Sequence, residues 1–182
     1  VPRIEVLDSD LTVEQQRVYD EAASGLRGRV PGPLRVWIKS PELARRTQRV
    51  GEFVRYQTSL PARLSELAIL VTARHWTAQY EWYVHAEHAR RAGLDPAAIE
   101  AIAARREPHL LPEDERLVYA FARQLHERRG IADDLYRASV ACLGEQAVVE
   151  LVMLLGYYTL VSMTLNTFEI GLPDDVVPPL PS

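Results

Sequence analysis

The chain reads as an all-α protein. Successive segments carry apolar residues at helical spacing, capping signals separate them, and no segment keeps the alternation of a half-buried strand. The nearest approach to a strand is VPGPLRVWIKS at residues 30–40. It is short and contains two prolines, which a sheet interior does not accept.

The elements follow in order. Thr12 and Gln15 have the spacing of a capping box, opening an amphipathic helix over 13–26 that ends near the glycines at 25–28. Pro31-Gly32-Pro33 reads as a loop. Ser40-Pro41 places an N-cap before a proline at the first helical position, predicting a helix to about residue 56. Pro61 opens ARLSELAILVTARH, striped by Leu64, Leu67, Ala68 and Val71. After a short link comes a helix over 77–92 that stops at Gly93. Asp95-Pro96 starts a short helix to about residue 105, and Pro112-Glu113 starts one that Gly130 stops. A further helix spans 133–143, and Gly144 divides it from a long apolar segment over 147–165. The tail PDDVVPPLPS, with four prolines, predicts an extended strap lying on the surface or on a neighbouring subunit. Three regions result: an N-terminal helical extension over 1–39, a helical domain over 40–170 and the proline-rich tail over 171–182. The expected architecture is a set of helix pairs packed round one apolar helix.

At 182 residues the chain is long enough for one substantial core, and 47% hydrophobic with 25% charged residues is a globular balance. A net charge of -4 gives no pull toward nucleic acid or an anionic membrane. Cys142 is the only cysteine, which excludes an internal disulfide and a CxxC pair and fits a reducing, cytoplasmic setting. The first residues lack the pattern of a secretory signal. The segment 147–165 is long enough for a bilayer, but its tyrosines sit mid-segment and no Lys or Arg follows Arg137. The expectation is a core or subunit-contact helix rather than a membrane span. A helix so apolar predicts a homo-oligomer, a trimer or larger.

Chemistry concentrates in one place. At about 100° per residue, Glu81, His85 and His88 fall within an arc of about 60°. A second carboxylate, Glu66, lies in the preceding helix, where an acid amid LSELAILV needs a partner. The two helices are antiparallel neighbours if the link is short, which makes a histidine of the second the expected partner. Glu66, Glu81 and His85 are therefore the candidate catalytic groups. Tyr80, Trp82, His88 and Arg74 are candidates for binding substrate, and Arg63 is a further possible anion clamp. Asn166 and Glu169 could close the same pocket, whereas Glu87 and Arg91 have the spacing of a surface ion pair. The residues alone leave several readings open: proton transfer by a carboxylate–imidazole pair, a 2-His-carboxylate metal site, or a satisfied structural pair without chemistry.

The run ELAILVTARH from Glu66, followed by YEWYVHAEHARRAGL from Tyr80, resembles the carboxymuconolactone decarboxylase family, which includes the alkylhydroperoxidase D-type proteins. The resemblance extends over about residues 40–130. In the peroxidase branch a glutamate is followed after twelve residues by a CxxC pair, with a histidine four residues beyond its second cysteine. Glu66 and His85 match that glutamate and histidine, but Ala78 and Glu81 occupy the cysteine positions, so thiolate chemistry is not expected. The resemblance therefore implies the decarboxylase branch: an all-α, cofactor-free enzyme, trimeric or hexameric, acting on a small carboxylated lactone or related acid. The implied roles are proton handling by His85 and Glu81, orientation of His85 by Glu66, and exclusion of water by Trp82. No metal or cofactor is implied. The N-terminal extension and the tail go beyond a typical single-domain decarboxylase.

Overall fold

The computed structural model describes residues 2–26, 28 and 30–181. Among them every regular element is a helix: α1 (Val13–Ser24), α2 (Gly32–Trp37), α3 (Pro41–Tyr56), α4 (Ala62–His75), α5 (Gln79–Arg91), α6 (Pro96–Ala103), α7 (Glu113–Arg128), α8 (Asp133–Leu143) and α9 (Glu145–Thr167).

The local signals act as their chemistry predicts. The Thr12 hydroxyl accepts from the Gln15 amide at 3.3 Å, and the Gln15 side chain accepts from the Thr12 amide at 2.9 Å. Asp95 caps α6 by accepting from the Ala97 amide. Gly93 and Gly144 take the left-handed backbone, φ 93° and 86°, needed to end α5 and to turn from α8 into α9. Ser40 stands at the N-cap of α3, but its side chain makes no capping bond, and two further details differ from expectation. Gly32 and Pro33, expected in a loop with Pro31, instead open a helix over 32–37, where Pro33 in the first turn needs no amide hydrogen. The αL position after α7 belongs to Arg129, φ 61°, rather than to Gly130.

Helix α4 is buried on all sides from Leu64 to Arg74 and packs against α5, α7 and α9. Only two residues, Trp76 and Thr77, separate its last turn from Ala78, the N-cap of α5, so α4 and α5 form a tight antiparallel hairpin. Helix α9 is long and apolar enough to cross a membrane, yet 61% of its most apolar window is buried within the fold. It is not wrapped completely: Val149, Val152, Met153, Leu160 and Met163 remain exposed along one stripe. Helices α1 and α2 pack on α3 over a small second core of Val18, Ala22, Val30, Leu34, Ile38 and Ala44.

The proline-rich tail lies on its own chain. Gln79 holds Leu180 from both sides, donating to its carbonyl at 2.8 Å and accepting from its amide at 2.9 Å, while the Leu180 side chain is buried in the main core.

Candidate active site

Glu66 sits one turn into α4 and His85 midway along α5, so the antiparallel hairpin sets them face to face. His85 Nδ1 is 2.6 Å from Glu66 Oε2, and His85 Nε2 is 2.8 Å from Glu81 Oε1, one turn earlier on its own helix. Nδ1 meets Glu66 in a hydrogen bond and Nε2 lies at ion-pair distance from Glu81, surroundings that favour an imidazolium. All three residues are buried. The fourth member is Arg55 near the end of α3, whose guanidinium lies 3.8 Å from Glu66 Oε1 with its side chain 9% exposed. Two acids, one arginine and one protonated histidine sum to a neutral cluster.

Burial disfavours a charged His85, but the adjoining Glu66 and Glu81 carboxylates outweigh it and hold the imidazole pKa above its usual value. Burial likewise works against an ionised Glu66. His85 first, then Arg55, overcome it and leave the carboxyl below the usual range. The cluster therefore favours a proton on the imidazole and an ionised Glu66.

A cavity of about 30 Å³ touches Glu81 and His85. Tyr80, Val84, Tyr157, Tyr158 and Val161 form its sides, and Pro31, Pro33 and Trp37 of the N-terminal extension form its roof. That volume holds about one water. The Tyr158 ring stands edge-on to His85 at 5.0 Å, and the Trp37 indole donates to Thr164 on α9 at 2.9 Å, pinning the roof. An open groove of about 660 Å³ adjoins this cavity, sharing Pro31, Arg55 and Val84 with it and adding Tyr56, Trp82 and His88. The His88 ring lies 5.7 Å from that of His85.

Of the residues singled out from the sequence, the structure brings together Glu66, Glu81 and His85, with Tyr80 on the cavity wall and Trp82 and His88 in the outer groove. Trp82 is buried in the core and does not line the inner cavity. Arg74 lies elsewhere. Eight residues along α4 from Glu66 carry it about 12 Å down the axis and about 80° round it, where it meets Thr77 and the tail carbonyl of Pro181. Arg63 is taken up by Asp114 and Glu115 on α7. Asn166 bonds to the Trp76 carbonyl and Glu169 pairs with Arg3, both away from His85. Arg91 and Glu87 do form an exposed ion pair. Arg55, Trp37, Tyr157 and Tyr158 are site residues that sequence reasoning missed. Among the described residues no group of three or more His, Cys, Asp or Glu side chains is arranged to hold a metal ion. Cys142 is exposed on α8.

The family model described as the carboxymuconolactone decarboxylase family matches residues 41–124. That segment, a little under half of the chain, is similar to this family. Glu66, Glu81, His85 and Arg55 all fall inside the matched span, whereas the roof over them and the α9 tyrosines lie outside it. A search of curated proteins gives no significant match. Solved structures extend the likeness of fold over nearly the whole chain. An uncharacterized peroxidase-related protein from Silicibacter sp. TM1040 superposes with a TM-score of 0.76 at 15% identity, covering 96% of this chain and 92% of its own. A variant of the debrominase Bmp8, in complex with 2,3,4-tribromopyrrole, gives 0.70 at 15% identity, covering 92% and 95%. A protein of unknown function from Agrobacterium tumefaciens, described as a putative antioxidant defence protein AhpD, gives 0.67 at 19% identity, covering 75% and 94%. At these identities the likeness is one of fold. The matched segment is thus set in an all-α, AhpD-like fold.

Proposed function

We propose that this chain is a cofactor-independent carboxy-lyase acting on a small carboxylated lactone or related acid, with the proton supplied through His85 and Glu81. The observation that carries this reading is the buried His85 imidazole held between Glu66 and Glu81 beside an aromatic-walled cavity. In a carboxylated butenolide, breaking the bond to CO2 leaves an electron pair that spreads into the lactone as a dienolate. The pair is quenched by one proton on carbon, so one proton is consumed for each CO2 released. Glu81 faces the cavity and takes that proton from His85 Nε2. Glu66, anchored by Arg55, orients the ring and stabilises its charge. The roof of Pro31, Pro33 and Trp37 excludes water and must lift to admit a ligand larger than water. Assembly as a homo-oligomer of three or more copies in the cytoplasm, with no nucleic-acid or membrane partner, belongs to the same proposal. It is supported by the exposed apolar stripe on α9.

The test is CO2 release from a panel of γ-carboxylated butenolides. Turnover should fall about 10²- to 10⁴-fold in His85→Gln and in Glu81→Gln. An effect under about threefold on a confirmed substrate removes both residues from the mechanism. The small inner cavity favours a second reading, in which the four charged groups are a structural network in a non-catalytic oligomer. No turnover and no ligand binding, even after the roof is loosened by Trp37→Ala, would select that reading.

A further inference from the structure

Arg74 is a buried guanidinium, 4% exposed, with no carboxylate partner among the described residues. Its terminal nitrogens donate to the Thr77 hydroxyl at 3.0 Å and to the Pro181 carbonyl at 3.0 Å, and its Nε is buried without any partner. A second arginine, Arg105, donates to the same Thr77 hydroxyl at 3.2 Å. Two like charges thus converge on one neutral oxygen, an arrangement unfavourable by itself. The backbone holding it is also strained. Helices α4 and α6 both end with left-handed residues, Thr77 at φ 48° and Arg105 at φ 56°, where glycine is usual and a β-branched residue is an outlier.

Arg74 and Arg105 border a cleft of about 330 Å³ between the ends of α4, α6 and α7. Its size is that of a small-ligand site. Arg74, Arg105, Arg106 and Arg123 line it against only Glu107 and Glu127, and Glu107 is already paired with Arg123. With neutral histidines the lining carries two net positive charges. One wall is flat: the rings of His75 and His126 stack at 4.8 Å and 17°. The Thr72 hydroxyl donates to the Ala68 carbonyl and so accepts from His126 Nε2 at 2.9 Å, which fixes that ring's tautomer. Burial, with His75 alongside, lowers the His126 pKa to about 4, so the stack is a neutral surface near pH 7. Val71 and Ile102 add apolar area.

We propose that this cleft is a second ligand site, separate from His85, for a small phosphate monoester. The dianion would lie against Arg74, Arg105 and Arg106, with its organic part on the His75–His126 stack. Charge selects a dianion, and the clustered guanidiniums match phosphate oxygens.

Titration calorimetry with glycerol 3-phosphate, inorganic phosphate, succinate and sulfate at constant ionic strength tests this. The expected result is one saturable site for glycerol 3-phosphate, binding at least tenfold tighter than succinate or sulfate. Binding should weaken tenfold or more in the surface variants Arg105→Gln and Arg106→Gln and stay unchanged in Arg91→Gln. Inorganic phosphate competing for the same site supports the proposal. No saturation, tighter binding of succinate, equal binding of sulfate, or equal loss in Arg91→Gln overturns it. None of these outcomes depends on turnover at His85.

Discussion

His85 and Glu66, nineteen residues apart, face each other across the α4–α5 hairpin with 2.6 Å between nitrogen and oxygen. This bond closes the hairpin and charges the imidazole at once, so its removal has separable consequences. Glu66→Leu leaves a buried imidazolium and Arg55 with a single acid between them and should cost about 3–5 kcal/mol in chemical denaturation. Glu66→Gln keeps the volume and a hydrogen-bond acceptor and should cost less. A loss below about 1 kcal/mol for Glu66→Leu would mean that the pair is mechanically irrelevant.

The same pair gives stability a defined pH profile. His85 has a raised pKa in the fold, so its contribution is complete below the ordinary imidazole value of 6.5 and is lost as pH rises through the folded value. Glu66 has a lowered pKa, so its contribution is complete above 4.5 and is lost as pH falls through the folded value. Unfolding free energy from this cluster should form a plateau between 4.5 and 6.5 and decline on both sides. In His85→Gln the alkaline decline should shrink, which denaturant titrations at several pH values would measure.

Trp37 joins the roof to α9 by its bond to Thr164 and by an edge-on contact with Tyr157 at 6.3 Å. Trp37→Ala should destabilise the chain by about 3 kcal/mol and enlarge the cavity beside His85. Trp37→Phe should retain most of the packing while losing the bond. If roof opening limits access, the phenylalanine variant should raise kcat/KM on a confirmed substrate without changing the pH dependence.

The apolar stripe of α9 predicts self-association. Val152→Glu and Met153→Lys should each shift the protein toward monomer in sedimentation at micromolar concentration, with far-UV helicity unchanged. A monomeric wild-type protein under those conditions removes this expectation.

Gln79→Ala should loosen the tail, which then keeps only the Arg74 bond to Pro181 and the buried Leu180 side chain, since Gln79 provides both backbone bonds to Leu180. Faster amide exchange at Leu180 and earlier cleavage by carboxypeptidase would report it.

Much of the fold was legible because helices announce themselves through spacing and caps. The Thr12–Gln15 box, the Asp95 cap and the glycines at 93 and 144 act locally, so their neighbours in sequence suffice to read them. The α4–α5 hairpin was legible too, and with it the meeting of Glu66 and His85. Residues 32–37 were not, because a proline marks a loop and a first helical turn equally well. Arg55 escaped notice for another reason: its value lies in a contact between α3 and α4, and nothing within α3 separates it from the many other arginines. Arg74 was singled out for its charge, as a clamp for a carboxylated substrate, and charge alone says nothing of direction. Two turns of helix carried it away from Glu66 and into another cleft.

The roof over His85 comes from residues preceding the family-matched segment, and they stand on a miniature core of their own. Trimming the chain back to residue 41 would thus hydrate the imidazole and strip the cover from Tyr157 and Val161. A shortened protein of this kind would report the proton affinity of a wet histidine, and its behaviour would say little about the roofed site.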